Sequence, residues 1–192
     1  MSSPPALTEK MLLELAEHEG LVLEAYRDSV GVWTWGFGVT EASGHKVDRY
    51  RGKPSTVLRA IEVFAWLVRT QYLPAVAREF DGHALTEAQW AAALSFHWNT
   101  GAIGRATWVR QFRIGHKAEA WRSFMNWAQP REIISRRKAE RDLFFDGRWS
   151  SDGLVVLYER VRPNGVPDWT RTRLIDIRDE VRAVIARGKE EG

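Results

Sequence analysis

The chain has 192 residues, 44% of them hydrophobic, with ten tryptophans, no cysteine and a net charge of +3. This suits one ordinary domain with its own core, and the lack of cysteine excludes disulfides, thiolate-held metals and thiol nucleophiles. No apolar run reaches bilayer-spanning length, and no basic stretch followed by an apolar one opens the chain, so neither a transmembrane segment nor a signal peptide is expected.

Met1 to Ala6, with two serines and two prolines, reads as a loose tail. Thr8 then caps a helix running to about Glu19, with Met11, Leu12, Leu15 and Ala16 at helical spacing. Gly20 stands where a left-handed C-terminal cap is expected. Residues 24–40 read as β structure, and Asp28-Ser29-Val30-Gly31 has the residue order of a tight turn. A loop from Ser43 to Pro54 follows. A long helix is expected over about 56–79, with a bend at Pro74. Thr86-x-x-Gln89 has the form of a capping box and opens a helix to about Trp98. Shorter helices are expected at 106–113, 117–127 and 131–145. Beyond Ser150, Leu154 to Val161 reads as a strand and Pro163-Asn164-Gly165 as a turn. Leu174, Ile177, Val181, Val184 and Ile185 mark one face of a closing helix.

The charge is unevenly spread. Residues 105–148 carry eleven Lys or Arg against five Asp or Glu, and residues 1–54 carry six against eight. A basic half points to an anionic polymer, either nucleic acid or the bacterial envelope, or simply to a solvated helix face. No recognition-helix motif supports DNA binding. The five histidines, His18, His45, His83, His97 and His116, have no metal-ligand spacing, so no metal and no cofactor is expected.

The spacing Glu19-x8-Asp28-x5-Thr34 carries the chemistry. Glycoside hydrolysis uses one carboxylic acid to protonate the leaving oxygen and a second carboxylate to position water or attack. Glu19 sits at a helix C-terminus, where the dipole disfavours its ionised form. Asp28 opens a turn, where a hydrated carboxylate stays ionised; it is also a common turn initiator. Strand alternation puts Val32, Thr34, Gly36, Gly38 and Thr40 on one face, nearly bare because of its glycines and open to a bulky ligand. Trp33, Trp35, Phe37 and Val39 share the inward face. Thr34 also fits a strand on propensity alone.

In the stretches His18-Glu19-Gly20 and Tyr26 to Gly38, Leu85 to Gln89 with Ser95 to Gly101, and Arg136 to Phe144, the chain resembles the phage-type lysozymes, or endolysins, of glycoside hydrolase family 24. The resemblance covers about Thr8 to Trp149. It implies an α+β, mostly helical, lysozyme-like fold. Residues 1–149 form the catalytic domain, with a small β-hairpin lobe (about 20–54), a larger helical lobe (about 55–149, with the N-terminal helix) and a cleft between. Residues 150–192 have no counterpart in the compact members of that family and are expected to be an extension docked on the domain, there to regulate, anchor or stabilise it.

The implied activity is hydrolysis of the β-1,4 bond between N-acetylmuramic acid and N-acetylglucosamine in peptidoglycan, lysing the cell. By the same resemblance Glu19 is the general acid, Asp28 the second carboxylate and Thr34 the water-positioning hydroxyl. Inversion is implied too, with a carboxyl separation of about 6.5–9.5 Å. Thr40, Trp98 and Asn99 are candidate substrate contacts, Trp98 serving equally well as core. Arg136 or Arg137 either pairs with Glu19 or belongs to a solvated basic face.

Relatives commonly carry histidine where this chain has Val39. Other readings are a lytic transglycosylase acting on the same bond, or a non-catalytic wall-binding or virion structural protein. A monomer that collects in the host cytoplasm until released to the wall is expected.

Overall fold

The computed structural model describes residues 4–190, so Met1–Ser3 of the expected tail lie outside them; Pro4 to Thr8 carry no regular structure. Helix α1 (Glu9–Glu17) starts as its cap predicts, the Met11 N–H donating to Thr8 Oγ1 at 3.1 Å. Met11, Leu12, Leu15 and Ala16 are all buried.

Three strands follow, β1 (Leu21–Arg27), β2 (Trp33–Gly36) and β3 (Val39–Thr40), joined to β4 (Leu154–Tyr158) and β5 (Thr172–Asp176) in one sheet of order β3-β2-β1-β4-β5. The β1–β4 pairing is parallel and the others are antiparallel. Of the aromatic face expected inward, Trp35, Phe37 and Val39 are buried, while Trp33 is half-buried beneath Arg27 and Arg51. The Trp35 ring stacks on Tyr50 at 3.9 Å, its Nε1 donates to Leu23 O at 2.9 Å, and Phe37 stacks on Phe64 at 4.9 Å. Val39 is buried among these apolar residues, which makes it a core position.

Four local expectations are corrected. Gly20 is not left-handed: it is absent from the positive-φ glycines, and a Cβ there would lie 2.5 Å from the Tyr158 ring. The glycine is set by close approach, which no local pattern reveals. Leu174 belongs to β5, paired with Val156 and 64% exposed. Its spacing from Ile177 and Val181 imitates a helix face, and Thr-Arg-Leu-Ile-Asp lacks the alternation of a strand. The loop from Ser43 to Pro54 contains a 3-10 turn at Val47–Tyr50 that buries Val47 and Tyr50. The helix expected over 56–79 is α2 (Val57–Leu67), a π turn (Val68–Tyr72) and α3 (Leu73–Glu79). Pro74 has no N–H to return to the carbonyl four residues back, and the wider π turn absorbs that break before the proline.

Helix α4 (Glu87–Thr100) carries the predicted capping box on both sides and ends on Gly101 at φ 62°. It is followed by α5 (Thr107–Arg113), α6 (Lys117–Phe124) and α7 (Ile134–Asp146). Around α4 an aromatic cluster forms the core, with Phe96 edge-on to Trp108 at 5.3 Å and to Phe124 at 5.5 Å. Helix α8 (Arg178–Glu190) buries Val181, Val184 and Ile185, and Arg187 reaches Glu62 of α2 at 3.2 Å.

Two compact units result. One comprises the chain up to Leu15 with Val68–Ser150 and holds α3 to α7. The other comprises Ala16–Leu67 with the residues from Ser151 onward and holds the sheet, α2 and α8. The fold is α+β and mostly helical.

Candidate active site

Glu19, Asp28, Thr34 and Thr40 all lie in the sheet-bearing unit. Glu19 is half-buried just past α1, where its N–H donates to Ala16 O at 3.0 Å. It therefore sits among the last carbonyls of the helix, as its sequence position suggested. Asp28 directly follows β1 and organises the turn. Its Oδ1 accepts the Val30 N–H at 3.0 Å and the Val32 N–H at 2.8 Å, while its carbonyl accepts the Gly31 N–H at 3.0 Å. The turn-initiator role and a fixed carboxylate are thus the same arrangement.

Thr34 stands in register opposite Tyr26 on β1 and Thr40 on β3. Its hydroxyl donates to Val32 O at 3.2 Å. The bare, open face expected around it is corrected: Thr34 is only 3% exposed. Ala60 of α2 lies 3.8 Å from where a Gly36 Cβ would stand. The glycine admits a helix, not a ligand.

Tyr26 links these groups. Its hydroxyl is pushed well above the ordinary phenol range, first by burial and then by the negative charges of Glu19 and Asp28, with Tyr158 adding to them. Tyr26 is thus a buried phenol within electrostatic reach of both carboxylates and is the register partner of Thr34. Nothing in the sequence around Tyr26 assigns it a role, beyond its closeness to Asp28.

Trp98 and Asn99 lie in the other unit, at the end of α4. Trp98 is half-buried against Tyr72 at 4.6 Å between ring centres. Asn99 is exposed, and its Oδ1 accepts from Arg137 Nη2 at 2.5 Å. Arg136 and Arg137 do not form a solvated basic face. Arg137 is fully buried, and both guanidiniums hold the buried Glu140, Arg136 Nε at 2.9 Å. Ser95 donates a third bond to that carboxylate at 2.6 Å. Spacings of three and four residues put all three charges on one helix face.

The family sequence model for phage lysozyme matches residues 16–140. The chain belongs to the phage lysozyme family. It is a glycoside hydrolase of lysozyme type acting on peptidoglycan. An endolysin of Acyrthosiphon pisum secondary endosymbiont phage 1 is 27% identical over 151 residues, covering 72% of this chain and 97% of that protein.

A mutant of P22 lysozyme superimposes with a TM-score of 0.58 at 26% identity, covering 73% of this chain and 98% of its own. The endolysin of Escherichia coli O157:H7 phage FAHEc1 shares the fold, with a TM-score of 0.60 at 24% identity over 79% of this lysozyme and 100% of its own chain. These relatives are matched nearly whole, while the segment after residue 140 falls outside the family match.

No helix among the described residues is long and apolar enough to cross a membrane.

Proposed function

We propose that the chain hydrolyses the β-1,4 bond between N-acetylmuramic acid and N-acetylglucosamine, with Glu19 as general acid, Asp28 as second carboxylate and Thr34 as water-holding hydroxyl. The observation that supports this reading is the Tyr26 phenol, which feels both carboxylates and pairs in register with Thr34.

Glu19 gives its proton to the glycosidic oxygen as the anomeric C–O bond breaks. Water attacks the anomeric carbon from the opposite face and loses its proton to Asp28. Thr34 donates its own hydrogen to Val32 O, so towards that water it acts as an acceptor and orients it. Asp28 is held by two backbone N–H groups through Oδ1, which presents Oδ2 to the water without reorganisation. The product then carries an inverted anomeric centre and a new reducing end. Thr40 is a neighbouring contact for the glycan, and Trp98 and Asn99 serve further along it. The chain acts as a monomer and reaches the wall after release from the host cytoplasm.

Glu19→Gln is the test. It should lower the release of reducing ends from purified peptidoglycan by about 100- to 10,000-fold. The circular dichroism spectrum and melting temperature should stay those of the parent. Undiminished turnover in that variant would overturn the assignment. Mass spectrometry showing 1,6-anhydro ends would convert the reading to a transglycosylase, and a retained anomer would reject inversion.

A further inference from the structure

The segment that lies outside the family match builds a cationic groove beside the candidate active site. The turn 161–167 closes through Arg162 N–H to Val166 O at 2.9 Å and Gly165 N–H to Arg162 O at 2.8 Å. It is fixed to the end of β1 by the Arg27 N–H donating to Gly165 O at 2.7 Å. Gly165, at φ 81°, lies against the Trp33 ring, where a Cβ would be 3.4 Å from the indole. Between this turn and the hairpin is a groove of about 520 Å3, walled by Arg27, Trp33, Arg51, Arg160 and Arg162.

Its charge is arranged, not incidental. The Trp33 ring carries two guanidiniums, Arg27 at 4.8 Å and Arg51 at 3.8 Å from its centre. The ring's negative face offsets the repulsion between them, and Arg27 Nη1 also donates to Gly31 O at 3.1 Å. Arg51 and Arg162 each have a carboxylate, Asp48 at 3.0 Å and Asp168 at 2.8 Å. Arg27 and Arg160 have no ion-pair partner among the described residues. The acid on the wall, Glu24, is taken up by the Gly52 N–H at 2.9 Å. With Arg51 and Arg162 each beside a carboxylate and Glu24 also on the wall, the groove keeps a small positive excess, carried by Arg27 and Arg160.

Arg27 immediately precedes Asp28, and Trp33 immediately precedes Thr34. Arg27 and Trp33 are register partners, so the groove lies on the face of this hairpin opposite Tyr26 and Thr34, at the hairpin end that carries Asp28. Peptidoglycan carries its anions in the peptide stem, which hangs from the muramic acid next to the scissile bond. We propose that this groove binds the carboxylates of that stem, so that the added segment reads the peptide while the family core reads the glycan. The proposal rests on the peptidoglycan reading above for the identity of its ligand. A planar guanidinium pair matches a carboxylate two bonds at a time.

The probe is the stem tetrapeptide L-Ala-D-isoGlu-meso-diaminopimelate-D-Ala, titrated by calorimetry and by the Trp33 indole resonance. Saturable binding to the parent chain is expected, with Kd raised about tenfold or more in Arg51→Gln/Arg160→Gln. The same peptide with its carboxylates amidated should bind no better to the parent than the free peptide does to that variant. If the double variant melts early, Arg160→Gln alone carries the test, because that side chain is exposed and unpaired.

Equal affinity in parent and variant, equal affinity for the amidated peptide, or saturation by inorganic phosphate or a DNA oligonucleotide in place of the peptide overturns the proposal. Reducing-end release is measured separately. Its absence alongside intact peptide binding would reject the catalytic reading and leave the groove standing; the reverse pattern would reject the groove alone.

Discussion

Gly20→Ala tests how the added segment bears on the residue next to Glu19. The new Cβ would stand 2.5 Å from Cε2 and 3.3 Å from Cδ2 of Tyr158, both inside normal contact. Relief requires the Tyr158 ring to swing. That ring is backed edge-on by Trp169 at 4.9 Å, but Trp169 is 52% exposed and can yield. The overpacking cost therefore falls in the lower part of the usual range, about 1–2 kcal/mol. Replacing glycine by alanine at an unstrained φ restores about 0.4–1 kcal/mol by restricting the unfolded chain. The net effect should be destabilisation of roughly 0–1.6 kcal/mol.

Urea denaturation midpoints in two backgrounds decide the cause. With Tyr158→Ala the clash is gone, so Gly20→Ala should change sign and stabilise by about 0.4–1 kcal/mol. A left-handed Gly20 would instead make alanine cost about 1–2 kcal/mol whatever stands at 158. An equal cost in both backgrounds would refute the close-approach account.

Glu140→Gln should destabilise strongly, by about 3–5 kcal/mol, because Arg137 would keep its charge in full burial without its carboxylate. Chemical denaturation measures this, and Glu140→Leu with Arg137→Met should recover much of the loss; a Gln variant within about 1 kcal/mol of the parent would contradict the buried-pair argument. Asp168 gives a pH signature. The Arg162 side chain, then the Thr170 hydroxyl, bond its carboxylate and hold its pKa at about 2, below the ordinary 3.8. A depressed carboxylate contributes stability that is whole above the unfolded value and is lost as pH falls towards about 2. The melting temperature gap between the parent and Asp168→Asn should thus be constant above about pH 4.5 and close between pH 4 and 2. A gap unchanged at pH 2 would remove Asp168 from the turn that carries Arg162.

Much of the candidate site was legible because its signals are local. Thr8 and Thr86 announce helix starts through side chains that bond their own first turns. Asp28 and Gly31 announce a turn in the same way. The aromatic alternation of β2 showed which face is core. What misled was local pattern standing for distant contact. The bareness of Gly36 spoke of an empty face, but α2 fills it. The spacing of Leu174 spoke of a helix, but pairing with Val156 makes it strand. The basic run at 136–138 spoke of solvent, but Glu140 and Ser95 draw Arg136 and Arg137 inward.

Residue order alone determined the Glu-Asp-Thr spacing, the helix caps and the α+β class, since each depends on neighbours within a few positions. Tertiary structure alone decided that residues beyond 150 join the sheet through β4, that Gly20 yields to Tyr158, and that Arg160 and Arg162 share a groove with Arg27, Arg51 and Trp33. Those outcomes depend on which surfaces meet after the chain returns on itself. Close approach at Gly20 and the walls of the groove are set by partners more than a hundred residues away, and no short window of sequence contains them.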